Sequence, residues 1–152
     1  MAKAANILLV EDNLMDVELI LDAFREAHLG NKINYVNCGK DALDYLFGKN
    51  KYSDRQKYPI PDLILLDLKM PGVDGHEVLQ RIKQAHGLKR IPVVILTSSM
   101  EDGDRALSYD NGANSYLVKP VSFEGFMEVI RKIDEYWMLL NVGPPDWISN
   151  KE

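Results

Sequence analysis

The chain has very little cysteine: Cys38 alone in 152 residues. No internal disulfide can form, so the fold must rest on its own apolar core, and a reducing cytoplasm is the expected setting. Long apolar runs are missing too; none approaches the ~20 residues that span a bilayer, and the segment behind Met1 is too short for a secretion signal. Positive charge is in deficit. A net charge of −5 argues against broad binding to nucleic acid, which needs a basic face. Low-complexity tracts and repeats of 20–50 residues are absent apart from an alternation of strand-like and helix-like segments. At 17.3 kDa, with 46% hydrophobic residues, one soluble domain can bury most of its apolar surface.

What is present is a recurring pattern of apolar runs that stop at a chemically useful residue. Ile7-Leu8-Leu9-Val10 ends at Glu11-Asp12, and Leu63-Ile64-Leu65-Leu66 ends at Asp67. Val93-Val94-Ile95-Leu96 ends at Thr97, and Tyr116-Leu117-Val118 ends at Lys119-Pro120. These four runs do not alternate, as expected for strands covered on both faces. Ile33-Asn34-Tyr35-Val36 does alternate and reads as a half-exposed edge strand. Helical patterns lie between them. Val17, Ile20, Leu21, Phe24 and Ala27 share a face of a helix over 14–28, and residues 41–47 give a second. Asp74 with Glu77 starts a third in capping-box style, with Val78, Ile82 and Ala85 facing inward. Ser99 and Asp102 are candidate caps for a weaker fourth ending near Gly112. Phe123, Phe126, Met127, Ile130, Ile133, Trp137 and Leu140 form one stripe on the last, which Gly143-Pro144-Pro145 terminates. Residues 48–61 read as a polar loop.

The order is strand then helix, five times over, which implies an α/β doubly wound parallel sheet with right-handed crossovers. Ligands in such sheets bind beyond the carboxyl ends of the strands. Four of the five strands place a functional group there. Two adjacent acids suit a hard cation such as Mg²⁺, although Asp12 alone would serve equally as a helix cap. Taken singly, Asp67 reads equally as a turn residue before Met70-Pro71-Gly72, Thr97 as a routine strand-end threonine, Lys119 as a surface lysine and Tyr116 as a half-buried strand tyrosine. A cis Lys119–Pro120 bond, an isomer found for only ~5–6% of X-Pro bonds, would turn the lysine back over the site.

Together these residues resemble the receiver domain of two-component response regulators, the phospho-accepting module called CheY-like. The resemblance rests on Glu11-Asp12, Asp67, Met70-Pro71-Gly72-Val73-Asp74-Gly75, Thr97-Ser98, and Tyr116 with Lys119-Pro120, in order, over residues 6–140. It implies a flavodoxin/CheY-like (βα)5 fold with strand order 2-1-3-4-5, a receiver domain over 1–140 and a tail over 141–152. It implies phosphorylation of Asp67 by a sensor histidine kinase or phosphotransfer protein. Mg²⁺ (or Mn²⁺) would be held by Glu11, Asp12, Asp67 and the backbone carbonyl of Lys69. Lys119 and Thr97 would contact the phosphoryl group, with small Ser98 leaving it room, and Thr97 with Tyr116 would switch the surface. Lys69 and Ser99 would tune the lifetime of the phosphoryl group. Output would pass by protein–protein contact, without nucleic acid or membrane and without enzymatic turnover beyond slow self-dephosphorylation.

More narrowly, the 48–61 loop and Glu135-Tyr136-Trp137 resemble single-domain receivers that serve phytochrome-type sensor kinases. Met138, Leu139, Leu140, Val142 and Trp147 are apolar enough to mark either a homodimer contact or a tail folded on its own domain. Two other classes fit less well. A haloacid-dehalogenase-type phosphohydrolase needs a second Asp where Lys69 stands, and a flavodoxin-like carrier needs a phosphate cradle where Glu11 and Asp12 would repel one.

Overall fold

The strand runs pair in the order β2-β1-β3-β4-β5, all parallel. The computed structural model describes residues 5–27, 31–140 and 142–144. The strands are β1 (Asn6–Val10), β2 (Lys32–Val36), β3 (Leu63–Leu66), β4 (Val93–Thr97) and β5 (Ser115–Val118). The helices are α1 (Leu14–Ala27), α2 (Gly39–Phe47), α3 (Gly75–Gln84), α4 (Asp102–Asp110) and α5 (Phe123–Ile133). The expected fold class and strand order are therefore observed.

Why runs without alternation make this sheet is visible in the core. A strand sends successive side chains to opposite faces. Leu8, Val10, Ile64, Leu66, Val93 and Ile95 point to the side covered by α2 and α3. Ile7, Leu9, Leu63, Leu65, Val94 and Leu96 point to the side covered by α1 and α5. Both sets must be apolar because both faces are roofed. β5 departs from the expectation of full cover. It lies at the sheet edge opposite β2, and its residues are half-buried or exposed.

Local signals fix the helix ends. The Asp74 side chain accepts from the Glu77 amide, as the capping pattern requires. α1 is capped by Asn13, whose Oδ1 accepts from the Asp16 amide at 3.1 Å, so Asp12 is not spent on capping. Neither Ser99 nor Asp102 caps α4; its N-cap is Glu101, without a side-chain bond, and the helix stops at Asp110. The last helix changes character rather than running straight to residue 140. Its α-helical part ends at Ile133, and Asp134–Leu140 winds as a π-helix. The change begins at Asp134, a buried acid that accepts from Asn31 at 3.1 Å.

The 48–61 loop is less polar than its composition. It carries a 3₁₀ turn (Asn50–Tyr52), and Tyr52 is buried in a ring cluster with Tyr45 and Tyr58, centroids 4.9–5.8 Å apart. Arg55 closes it by donating to the carbonyls of Tyr45, Leu46 and Tyr58. Of the expectations for the chain's ends, His28, Pro145, Trp147 and the side chains of Ala27, Met138, Leu139 and Leu140 lie outside the described residues. Among the described residues no helix is long and apolar enough to cross a membrane.

Candidate functional site

The register carries the strand ends to one edge. Val10 sits opposite Leu66, and Leu66 opposite Ile95. The residues after these rows are Glu11-Asp12, Asp67 and, one further along, Thr97. Backbone bonds lock the placement: the Asp67 amide donates to the Val10 carbonyl at 3.0 Å, and the Lys119 amide to the Thr97 carbonyl at 2.7 Å. Asp67 is further fixed by close packing of the turn behind it. A Cβ on Gly75 would stand 2.3 Å from the Asp67 carbonyl oxygen, so only glycine lets α3 start there.

Glu11, Asp12 and Asp67 each bring a carboxylate oxygen within 4.8 Å of the other two. All donors are hard oxygens, the set that Mg²⁺ and Mn²⁺ accept, usually with waters filling the other positions. Glu11 and Asp67 are buried while Asp12 is exposed, so the cluster has a solvated side. One cation is already built in. The Lys119 ammonium lies 2.6 Å from Glu11 Oε1, 2.8 Å from Asp16 Oδ2 and 3.6 Å from Asp67 Oδ2. Its Lys119–Pro120 bond is trans, contrary to the cis arrangement considered from the sequence, and the ammonium reaches the site nonetheless.

The electrostatics show an excess of negative charge. Burial, and then the neighbouring Asp67 charge, push the Glu11 carboxyl up to about 7, against the opposing pull of Lys119. Burial works against the Lys119 ammonium, but its bonds to Asp16 and Glu11 outweigh that and hold its pKa above the usual lysine value. Among the described residues, Lys119 is the one cation paired with these carboxylates.

Thr97 is fully buried, and its Oγ1 accepts from the Ser99 amide at 3.3 Å; Ser98 beside it is exposed. Tyr116 lies half-buried against the core, its hydroxyl donating to the Ser99 carbonyl at 3.0 Å. Lys69, two residues after Asp67, turns its side chain to Asp104 Oδ2 at 3.1 Å.

Two participants escaped the sequence analysis. Asp16 reads in sequence as an ordinary first-turn acid of α1, and only the tertiary fold brings it to Lys119, just past the end of β5. Asp104 likewise reads as a helix-start acid, yet it collects Ser99 at 2.6 Å, His76 at 3.0 Å and Lys69. Hydrogen bonds from Ser99, then His76, with Lys69 beside them, hold its carboxyl down to about 2.

Comparison with known proteins places this arrangement. The response regulator receiver domain model matches residues 7–131. A probable methanogenesis regulatory protein, FilR2 of Methanothrix harundinacea, is 44% identical over 138 residues, covering 91% of this chain and 86% of that one. Response regulator Rcp1 of Synechocystis is 36% identical over 132 residues, 87% of this chain and 88% of its own. The solved structure of the phosphorylated cyanobacterial phytochrome response regulator RcpA is similar with a TM-score of 0.89 and 36% identity, over 94% of this chain and all (100%) of that one. The Mn²⁺-bound form of Rcp1 gives 0.86 and 35%, over 93% and 99%.

Proposed function

The chain belongs to the response regulator receiver domain family, with single-domain phytochrome response regulators among its relatives, and from that premise we propose that it is a stand-alone phosphoacceptor of a two-component relay. Asp67 accepts a phosphoryl group from the phosphohistidine of a sensor kinase or phosphotransfer protein. An Asp67 carboxylate oxygen forms a bond to phosphorus as the phosphorus–nitrogen bond breaks, and the leaving imidazole keeps the electron pair. The observation that carries this reading is the meeting of the Glu11, Asp12 and Asp67 carboxylates within 4.8 Å, with the Lys119 ammonium 3.6 Å from Asp67.

Transfers of this kind are governed by positioning and charge neutralisation. Glu11, Asp12, Asp67 and the Lys69 carbonyl would hold Mg²⁺ or Mn²⁺. When bound, the metal supplies the positive charge that lets an anionic nucleophile meet an anionic phosphoryl group. Manganese on the related Rcp1 supports this assignment. Lys119 is held at the acceptor by Glu11 and Asp16, and turns to a phosphoryl oxygen as one arrives. The Thr97 hydroxyl donates to another, and exposed Ser98 leaves room for entry. Thr97 moves toward the phosphoryl group, Tyr116 follows into the space behind it, and the face made by α4, β5 and α5 changes shape. Such a change shifts the balance between forms only as far as the phosphoryl group is held better in one than in the other.

In this reading residues 1–140 form the receiver and 141–152 a tail, and the apolar residues Met138, Leu139, Leu140, Val142 and Trp147 supply a homodimer contact. The protein works in the cytoplasm through protein partners. The test is incubation with acetyl phosphate and Mg²⁺ followed by intact mass. Wild type should gain one phosphate-sized increment and Asp67→Asn none. Unchanged mass in wild type with both acetyl phosphate and a cognate phosphodonor would overturn the proposal, and steady release of phosphate from a small phosphomonoester would favour a phosphohydrolase instead.

A further inference from the structure

Three carboxylates surround the Lys119 ammonium, and they differ in what else they can hold. Glu11 and Asp67 belong, with Asp12, to the oxygens that lie within 4.8 Å of one another and suit a divalent cation. Asp16 stands outside that set, yet its Oδ2 is 2.8 Å from Nζ. Local chain builds its place. Asn13 Oδ1 accepts from the Asp16 amide at 3.1 Å, and the Asn13 carbonyl accepts from the Val17 amide at 3.0 Å. An acid in a first helical turn is also favoured in its charged form by the helix dipole. The Lys119–Asp16 hydrogen bond is largely withdrawn from water, with side chains 9% and 21% exposed. Burial opposes the ammonium, and the bond to Asp16 stands first among the contacts that restore it, ahead of Glu11.

The lysine needs such a partner. Its backbone is fixed by the amide bond to the Thr97 carbonyl at 2.7 Å. A flexible stem separates that backbone from the charge, and it can carry the charge into water unless something holds it. Carboxylates that share a divalent cation have less charge to offer a second one. On the phosphoacceptor reading, Glu11 and Asp67 serve the metal, and Asp67 the phosphoryl group as well. Among the described residues, Asp16 is then the one carboxylate on Lys119 with no other cation to hold.

Resting on that reading, we propose that Asp16 is a positioning residue for phosphoryl transfer: it keeps the Lys119 ammonium beside Asp67 while the other carboxylates are engaged. It does not touch the reacting atoms. The sign of its effect sets this role apart from plain electrostatics. A carboxylate near an anion site repels an incoming anion, so its removal quickens transfer if charge is all that matters. If Asp16 places Lys119, its removal slows transfer, because a cation already in position is worth more than one recovered from solvent.

The test follows phosphorylation by acetyl phosphate at saturating Mg²⁺, by intact mass against time. In this step an Asp67 oxygen bonds to phosphorus and acetate leaves with the electron pair. Asp16→Ala should be about tenfold slower at saturating donor, the scale of one charge-assisted hydrogen bond, with the half-saturating donor concentration unchanged or lower. Asp16→Asn, which keeps an acceptor oxygen, should recover part of the rate. In a Lys119→Ala background, Asp16→Ala should cost nothing further, since a residue acting through another is not additive with it. A second readout involves no transfer. The ammonium NMR signal of Lys119, held in wild type with and without Mg²⁺, should survive Asp16→Ala in chelator, where Glu11 still binds it, and broaden away in Mg²⁺. Asp16→Ala at the wild-type rate or faster, or equal slowing in the Lys119→Ala background, would overturn the positioning role. So would an ammonium signal that persists in Mg²⁺ without Asp16. Wild type that gains no phosphate would overturn the phosphoacceptor reading and this role with it, a failure visible before any variant is compared.

Discussion

Two lysines flank Asp67, and they sit in opposite electrical situations. Lys119 is 9% exposed and faces three carboxylates, those of Glu11, Asp16 and Asp67. Lys69 is 58% exposed and shares a single carboxylate, Asp104, with a serine and a histidine. The first cluster is short of positive charge and buried, which is costly unless another cation or an arriving ligand completes it. In the second, the Asp104 carboxylate is matched by its partners, while the buried Nδ1 of His76 has none among the described residues. The difference separates a buried cluster short of positive charge from a brace that holds its neighbours, although both have a lysine–carboxylate pair close to Asp67.

The comparison is broken most severely by taking the cation from the buried side. Lys119→Met leaves Glu11, Asp16 and Asp67 without their ammonium, and should lose about 3–5 kcal/mol of unfolding free energy at pH 8 in chelator. Urea titrations with and without Mg²⁺ would check it, with Mg²⁺ recovering part of the loss.

Next in size is a pH effect in the wild type. Glu11 is an acid raised from 4.5 to about 7 on folding. Between those values the native state keeps a proton that the unfolded chain has released. Its contribution is therefore largest below the lower value and is lost as pH rises through the upper one, a change of about 3 kcal/mol between roughly pH 5 and 8. Urea midpoints in chelator should fall over that range, and Mg²⁺, which competes with the same proton, should flatten the dependence.

A smaller effect is expected at Asp16. Asp16→Asn keeps the shape but removes one of the three charges on Lys119. It should cost no more than about 1 kcal/mol in chelator, where losing a carboxylate also relieves the excess of negative charge, and more in Mg²⁺, where that excess has already found another partner; thermal melts in both buffers would show the difference. On the exposed side, Lys69→Met should change unfolding free energy by less than about 1 kcal/mol, measured in the same titration. A loss there as large as that for Lys119→Met would erase the contrast between the two clusters.

Much of this was legible in the sequence, for a physical reason. Strands roofed on both faces must be continuously apolar, so their polar endpoints at Glu11, Asp67 and Thr97 stand out, and parallel order carries these endpoints to one edge. Asp74 and Glu77 announced their helix because a cap is a contact between near neighbours. What could not be read were contacts set by the crossing of elements. Asp16 meets Lys119 across 103 residues of chain, and His76 meets Asp104 across 28. No periodicity encodes either. The exposure of β5 escaped for the same cause, since a strand is central or peripheral only by the company the topology gives it. In the 48–61 loop, composition misled: Tyr52 packs its ring inside while lysines around it stay at the surface.

The strand register has one last consequence. Glu11, Asp67, Thr97 and Lys119 stand at the ends of four different strands, joined by crossovers that each carry a helix. None of these residues meets another through local chain. The functional edge therefore comes into being only when long-separated segments have docked, late and at the slow end of folding, where loop closure must precede any reward. A nascent or truncated chain lacking β5 would carry Asp67 without the Lys119 ammonium that stands 3.6 Å from it.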